Sequence, residues 1–244
     1  VWEDATTKYG FGHRRTYLLG KGLDSVMNYP FKNAVLDFVK GKPAQQAMNE
    51  ILSICEHYPA PALNTALNFL STHDTERALT VIADEPANGR GREWQSGRNV
   101  SGEAYEEGML RLRMAYAIIY TLPGLPCLYY GDEIGMQGYR DPFNRGYYCW
   151  DSHEERLKPV LAQLRHSCEA FRTGALQVLR AEGGVLHYQR VGATETAEII
   201  VNRSEHIIVE PLASGKHTEV NPMGFTIVVE ENGHNPNHSY YDIQ

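Results

Sequence analysis

ALNFLSTHDTER spans residues 66–77, and the reading of this stretch decides the fold. Ala66, Leu67, Asn68, Phe69 and Leu70 make a short run of strand length, mostly apolar. Ser71-Thr72-His73-Asp74 then ends it in a polar cluster. The pattern recurs on both sides. Residues 23–27 end in Asn28-Tyr29-Pro30, and residues 126–130 end in Gly131-Asp132-Glu133. Helical segments lie between and after these runs. A short helical piece is followed by a helix from about Pro43, with Ala47, Ile51, Ile54 and Cys55 on one face. Pro43 suits a first helical turn, where its missing N–H costs nothing. A polar, Gly- and Arg-rich loop over 84–102 precedes a helix from about Glu103 to Leu122. A second loop over 135–151 leads to Ser152-His153-Glu154-Glu155, which reads as a capping box. The helix after it sets Leu157, Val160, Leu161, Leu164, Cys168 and Phe171 on one face. Strands alternating with helices predict an α/β layer around a parallel sheet. Active sites in such sheets sit at the carboxyl ends of the strands, so the three polar clusters are expected to converge.

From about Thr173 the helical period disappears. Short β-rich runs cover 177–180, 184–190, 197–202, 207–210, 218–220 and 225–230. Glu182-Gly183-Gly184, Asn202-Arg203-Ser204, Ser214-Gly215 and Asn221-Pro222 separate them as turns. These runs predict a small antiparallel sheet or sandwich, with an irregular polar tail after Glu231. The chain thus divides into an α/β part over 1–172 and an all-β part over 173–244.

Composition narrows the function classes. Of 244 residues, 42% are hydrophobic and 22% charged, which excludes a disordered chain and allows a sizeable core. Net charge is −7, and no basic block accompanies the 15 Tyr and 7 Phe, so no nucleic-acid partner and no anionic membrane surface is expected. No apolar run approaches the roughly 20 residues of a membrane helix. Cys55, Cys127, Cys149 and Cys168 lack metal-ligand spacing. They read as mostly free core thiols, which favours a reducing, cytoplasmic compartment. No targeting signal is visible from Val1 onward, although one could precede it. GxGxxG, GxxxxGK, HExxH and GxSxG are all absent. No metal and no cofactor is therefore assigned, and calcium sites built from scattered loops are not readable from pattern. Met114 and Tyr116 read as core and helix surface.

Two clusters carry chemistry. A carboxylate at a strand end beside a histidine, His73-Asp74, suits sugar hydroxyls or a developing cation; equally, Asp74 suits the N-cap of a helix starting near Thr75. Tyr129-Tyr130 offers two stacking faces, followed by Arg140, Asp141, Asn144 and Arg145. That loop also reads as a structured segment with an Asp141–Arg145 ion pair. At Asn28-Tyr29-Pro30 the plain reading is that Pro30 ends the strand.

The order of these clusters resembles the carboxyl-terminal half of the alpha-amylase family of glycoside hydrolases, in its neopullulanase, cyclomaltodextrinase and maltogenic amylase branch. Leu23-Asp24-Ser25-Val26-Met27-Asn28-Tyr29-Pro30 looks like that family's sixth barrel strand. Phe69-Leu70-Ser71-Thr72-His73-Asp74-Thr75-Glu76-Arg77 looks like its seventh, and GLPCLYYGDEIG at 124–135 with Asp141-Pro142-Phe143-Asn144-Arg145 like its eighth. The β-rich remainder resembles domain C. The resemblance implies strands 6–8 of a (β/α)₈ TIM barrel with their helices, then a small all-β domain. It implies that Asp74 is the third carboxylate, binding sugar hydroxyls and stabilising the oxocarbenium-like transition state with support from His73. Asn28 and Tyr29 join it as substrate-binding positions. Trp2 would line a subsite on the leaving-group side, and Asp141 and Arg145 would contact a sugar on the non-reducing side. The nucleophile Asp and the acid/base Glu of the retaining mechanism would lie upstream of Val1, leaving this chain alone inactive. The substrate implied is an α-glucan such as maltodextrin, cyclodextrin or pullulan. A complete barrel takes about 250 residues by itself, so an open half-barrel is expected to self-associate or to be poorly soluble. The alternative is a non-catalytic carbohydrate-binding or scaffold protein with the same fold.

Overall fold

A computed structural model describes residues 16–20, 22–151, 158–232 and 239–243. Trp2 and the capping box at residues 152–155 lie outside the described residues, as does Leu157.

The first part is a parallel ladder wrapped by helices. Met27 pairs in parallel with Leu67, and β1 (Leu67–Asn68) pairs in parallel with β2 (Leu125–Pro126). Spatial order therefore follows sequence order. Helices α1 (Tyr29–Lys40), α2 (Ala44–His57) and α3 (Ala60–Thr65) fill the first crossover. The second holds α4 (Ala78–Ala83), α5 (Arg92–Gln95) and α6 (Glu103–Thr121). The pairing is shorter than the five-residue runs suggest, and in the third run it begins at Leu125 rather than Pro126. Polar caps and turns take over directly. Asn28 donates its N–H to the Leu67 carbonyl at 2.9 Å and then caps α1 with its side chain. The expected short helical piece is thus a 12-residue helix with Pro30 inside its first turn, where proline is tolerated. Pro43 is the residue before α2 rather than its first residue, with extended ψ of 136°.

Apolar spacing sets what each helix buries. Phe31, Val35, Phe38 and Val39 of α1 meet Ala47, Met48, Ile51 and Ile54 of α2 in one core. The second half of α6 is buried nearly all round, Tyr116 included. Within the Arg-rich loop the Arg90 and Arg98 guanidinium groups lie 4.3 and 4.4 Å from the centroid of the Trp94 ring, a use for two of the arginines there. Helices α7 (Lys158–Ser167) and α8 (Glu169–Thr173) close this part. Leu161, Leu164, Cys168 and Phe171 are buried as expected, but Val160 faces solvent.

Five antiparallel strands follow in the order β3 (Ala175–Glu182), β4 (Val185–Val191), β5 (Glu195–Asn202), β8 (Gly224–Glu231) and β9 (Ser239–Ile243). A hairpin of β6 (Ile208–Pro211) and β7 (His217–Val220) forms its own two-stranded sheet. The tail is not wholly irregular: β9 adds to β8 through backbone pairing from Phe225↔Ile243 to Val229↔Ser239. Alternation gives the sheet two faces. Leu186, Tyr188, Ala197, Ile199, Val201, Phe225 and Ile227 join the helical core. Ile200 and Val228 pack under the hairpin with Leu212 and Val220. Arg190 fastens sheet to helices, donating to the Thr121 carbonyl at 2.6 Å and the Gly174 carbonyl at 2.7 Å. Burial lowers its pKa to about 10.

Candidate active site

Buried amides tie the ends of the first two strand runs to each other and to the start of the third. Asn28 Nδ2 donates to Asn68 Oδ1 at 3.0 Å, and Asn68 Nδ2 donates to the Pro123 carbonyl at 2.7 Å. Asn28 Oδ1 accepts the Phe31 N–H at 3.2 Å. Both amides are sealed from solvent, so Asn28 ties the first strand run to the second and presents nothing to a ligand in this arrangement. Tyr29 is half-buried, with its ring at 84° to Phe69 and centroids 4.9 Å apart.

The chain then turns sharply after the second strand run. Thr72 N–H donates to Thr75 Oγ1 at 3.0 Å, and Asp74 N–H donates to Thr72 Oγ1 at 3.1 Å. Helix α4 begins only at Ala78 and has no side-chain cap. Asp74 is therefore not an N-cap. Its carboxylate stands 64% exposed, 3.4 Å from His73 Nε2, itself 60% exposed.

A loop from the third strand run clamps this turn. Asn144, fully buried, donates from Nδ2 to the carbonyls of Thr75 at 2.7 Å, His73 at 2.9 Å and Thr72 at 3.3 Å. Arg145 Nη2 donates to the His73 carbonyl at 3.2 Å, while its Nε lies 3.3 Å from Asp141 Oδ1. The expected Asp141–Arg145 pair thus forms, and it stands exposed beside the His73–Asp74 turn. The clusters after the second and third strands do converge.

Beneath them lies a buried ion pair. Arg77 Nη1 sits 3.0 Å from Asp132 Oδ1, with both side chains shut away from water. Burial costs such a pair several kcal/mol unless further hydrogen bonds compensate. Here Ser71 Oγ and Tyr116 OH, the latter at 2.8 Å, both donate to Asp132 Oδ2. Arg77 Nε donates to the Asn144 carbonyl at 2.8 Å, and Nη1 also donates to the Tyr130 carbonyl. Burial pushes the Asp132 carboxyl up from its usual range, and Ser71, Arg77 and Tyr116 oppose that rise. Burial, followed by the Asp132 charge, raises the Tyr116 phenol well above its ordinary value. Gly138 completes the joint. Its carbonyl accepts the Arg77 N–H at 2.9 Å and its N–H donates to Thr80 Oγ1 at 2.8 Å. A Cβ there would sit 2.1 Å from the Phe143 carbonyl oxygen.

One reading of the aromatics changes. The Arg77 guanidinium lies 4.2 Å from the Tyr129 ring and 4.6 Å from the Tyr130 ring. One stacking face of each tyrosine is thereby used inside the protein. The cysteines are free, but Cys127 and Cys149 are exposed, so only Cys168 and, in part, Cys55 belong to the core. Sequence reasoning missed Ser71, Tyr116, Asp132 and Asn144 as the site's support, since no periodicity marks a buried polar partner. Among the described residues no three His, Cys, Asp or Glu side chains are grouped to hold a metal ion. None of the described helices is long and apolar enough to cross a membrane.

Comparison with known proteins gives consistent matches. The family description "Alpha amylase, catalytic domain" matches residues 7–174. An amylopullulanase of Thermoanaerobacter thermohydrosulfuricus is 34% identical over 192 residues, 71% of this chain and 12% of that protein. A cyclomaltodextrinase of Geobacillus thermopakistaniensis is 30% identical over 222 residues, 87% of this chain and 32% of that protein. Among solved structures, the cyclic alpha-maltosyl-(1→6)-maltose hydrolase of Arthrobacter globiformis superimposes with a TM-score of 0.71 at 25% identity, covering 88% of this chain and 46% of the other. The chain spans less than half the length of these relatives.

Proposed function

Because this chain belongs to the alpha-amylase family, beside the cyclomaltodextrinases, maltogenic amylases and neopullulanases, we propose that it is the carboxyl-terminal part of a retaining glycosidase acting on α-glucans such as maltodextrin, cyclodextrin or pullulan. Met27, β1 and β2 would be barrel strands six to eight, residues 1–172 the partial barrel, and residues 173–244 domain C.

One observation carries the reading. Asp74 offers an exposed carboxylate at a strand end, on a turn whose carbonyls are gripped by the loop that bears Asp141 and Arg145. A carboxylate so placed accepts hydrogen bonds from two sugar hydroxyls and favours positive charge developing at the anomeric carbon. His73 donates to a hydroxyl next to it. Asp141 and Arg145 grip a sugar further along the chain, one as acceptor and the other as a forked donor. Tyr29, half-buried against Phe69, is assigned a sugar contact from the family resemblance, while Asn28 acts by positioning alone. Trp2 is assigned a subsite on the leaving-group side from the family resemblance.

Asp74 cannot by itself perform the double displacement, which needs a nucleophile and an acid/base group. Both are proposed to come from polypeptide preceding Val1, and no cofactor is assigned to the residues present. The open edges of the short parallel ladder would otherwise draw chains together, so the isolated chain is expected to self-associate. The test compares this chain with the protein extended upstream, on maltotetraose and β-cyclodextrin. Turnover by the extended protein only, abolished by Asp74→Asn, supports the reading. Turnover by neither favours a non-catalytic carbohydrate-binding or scaffold protein. Turnover by this chain alone refutes the assignment of the missing carboxylates.

A further inference from the structure

Tyr29, Asp74 and Asp141 stand on three segments: the first turn of α1, the turn after β1 and the loop after β2. Asn144 clamps the second to the third, and Asn28 ties the base of the first to the second. Nearer the surface a single carboxylate, Glu76, faces a cation from each of the other two segments.

The backbone around Glu76 is fixed on both sides. Before it, the Thr75 carbonyl accepts from Asn144 Nδ2 at 2.7 Å; after it, the Arg77 N–H donates to the Gly138 carbonyl at 2.9 Å. The Arg77 side chain goes inward to Asp132, while the Glu76 side chain keeps 25% of its surface exposed. Arg140 Nε lies 3.5 Å from Glu76 Oε1. Arg140 directly precedes Asp141, so this ion pair reaches the loop next to its exposed acceptor.

The second cation is Lys32. It lies in the first turns of α1, where its N–H donates to the Asn28 carbonyl at 3.3 Å. Helical side chains lean toward the helix N-terminus, so the ammonium is carried back toward the strand ends. Lys32 is half-buried, and burial lowers its pKa. Among the charges that oppose this, Glu76 acts most strongly, ahead of Asp37, while Arg140 and Lys40 work in the same direction as burial. A cation stripped of water needs an anion near it, and Glu76 supplies one from outside the helix. Tyr29 sits three residues before Lys32 and shares its helix face, so a restraint on Lys32 is also a restraint on Tyr29.

We propose that Glu76 is a positioning residue for sugar binding: its carboxylate draws Lys32 of α1 and Arg140 of the last loop to a common centre and so sets the spacing between Tyr29 and Asp141. The inference rests on the α-glucan reading above and adds to it the residue that holds contacts from separate segments in register. Glu76 acts through those neighbours and itself touches no sugar.

Initial rates on maltotetraose, measured with the protein extended upstream, are the test. Glu76→Gln should raise KM about fivefold, the effect of losing partly exposed ion pairs, and leave kcat within about twofold. Glu76→Asp, which keeps the charge on a shorter arm, should restore most of that loss. A merely structural role would lower the active fraction and with it the apparent kcat, leave KM alone and be indifferent to the retained charge. Acylation of the 244-residue chain at about pH 8, mapped by mass spectrometry, reads the same tie without substrate. Glu76→Gln removes an anion that favours the charged amine, so Lys32 should label several-fold faster while the exposed Lys216 keeps its rate. An unchanged KM in Glu76→Gln, or unchanged labelling of Lys32, overturns the proposal. If the extended protein cleaves maltotetraose and Glu76→Gln leaves its KM unchanged, the positioning role falls and the α-glucan reading stands. If the extended protein cleaves no α-glucan, both fall.

Discussion

Asn144 is the residue whose removal should most directly loosen the turn that carries His73 and Asp74. Its amide donates to three backbone carbonyls, two at 2.7 and 2.9 Å and one at 3.3 Å, from a fully buried position. A net hydrogen bond contributes about 1 kcal/mol, and a stranded buried acceptor costs about 1–3 kcal/mol. Asn144→Ala should therefore destabilise the chain by about 2–3 kcal/mol, with the longest bond adding least. For a chain of this size that corresponds to a fall in Tm of roughly 5–10 °C. Asn144→Asp should do worse, because it keeps the shape but sets a carboxylate oxygen against three carbonyl oxygens. Urea unfolding followed by circular dichroism gives the stability change, and amide exchange locates it. The Asp74 and Thr75 amides, which donate to Thr72 Oγ1 and to the Thr72 carbonyl, should exchange faster in both variants. Asn144→Ala within about 0.5 kcal/mol of the parent chain, the range of a neutral surface change, would refute the reasoning. So would an aspartate variant as stable as the alanine one.

Arg77→Met should cost about 3–5 kcal/mol, because it strands the buried Asp132 charge; the double variant Arg77→Met/Asp132→Leu should recover much of that loss in urea unfolding, and no recovery would argue against charge burial as the cause. Burial pushes the Cys55 thiol up to about 11 and the Cys168 thiol to about 12. Above pH 9 the unfolded chain releases these protons while the folded chain keeps them, so stability should fall by up to about 1.4 kcal/mol per pH unit and thiol. At pH 8 a thiol reagent should modify the exposed Cys127 and Cys149 at once and reach Cys55 and Cys168 only on unfolding; four thiols reacting in one phase would contradict this.

Hydrophobic period made the long helices and most strands legible in the sequence, but not the short α3 and α5. Ala47, Ile51 and Ile54 do line one buried face, and the six β-rich runs all became strands. What stayed hidden has no period. Ser239–Ile243 forms β9 through its backbone, and its Ser-Tyr-Tyr-Asp-Ile sequence carries no apolar run. Val160 fits the apolar stripe of α7 yet faces solvent. Asn28 looked like the end of a strand, but its amide is both an N-cap and a bridge to Asn68. Whether Asp74 capped a helix depended on where α4 starts, three residues later than its sequence implied. Tyr116 meets Asp132 across a helix end and a loop, a proximity that spacing does not reveal.

The support beneath the site is polar where an apolar core would be as strong. A buried Arg–carboxylate pair seldom adds stability over well-packed hydrophobic side chains of similar volume. Apolar packing, however, has no direction. Hydrogen bonds do, and those of Arg77 and Asn144 end on the Asn144, Thr72, His73 and Thr75 carbonyls and on Asp132. Each fixes an angle as well as a distance, so the loop bearing Asp141 and Arg145 has one position relative to the His73–Asp74 turn. The exposed groups need that fixity, because a sugar ring presents its hydroxyls at set angles and a misplacement of about 1 Å can cost a hundredfold in rate. The same reasoning separates the two kinds of arginine in this chain. Arg190 bonds carbonyls to fasten the sheet to the helices and, among the described residues, meets no carboxylate. Arg77 joins two loops that must meet a common ligand, and its bond to Asp132 sets the place where they meet.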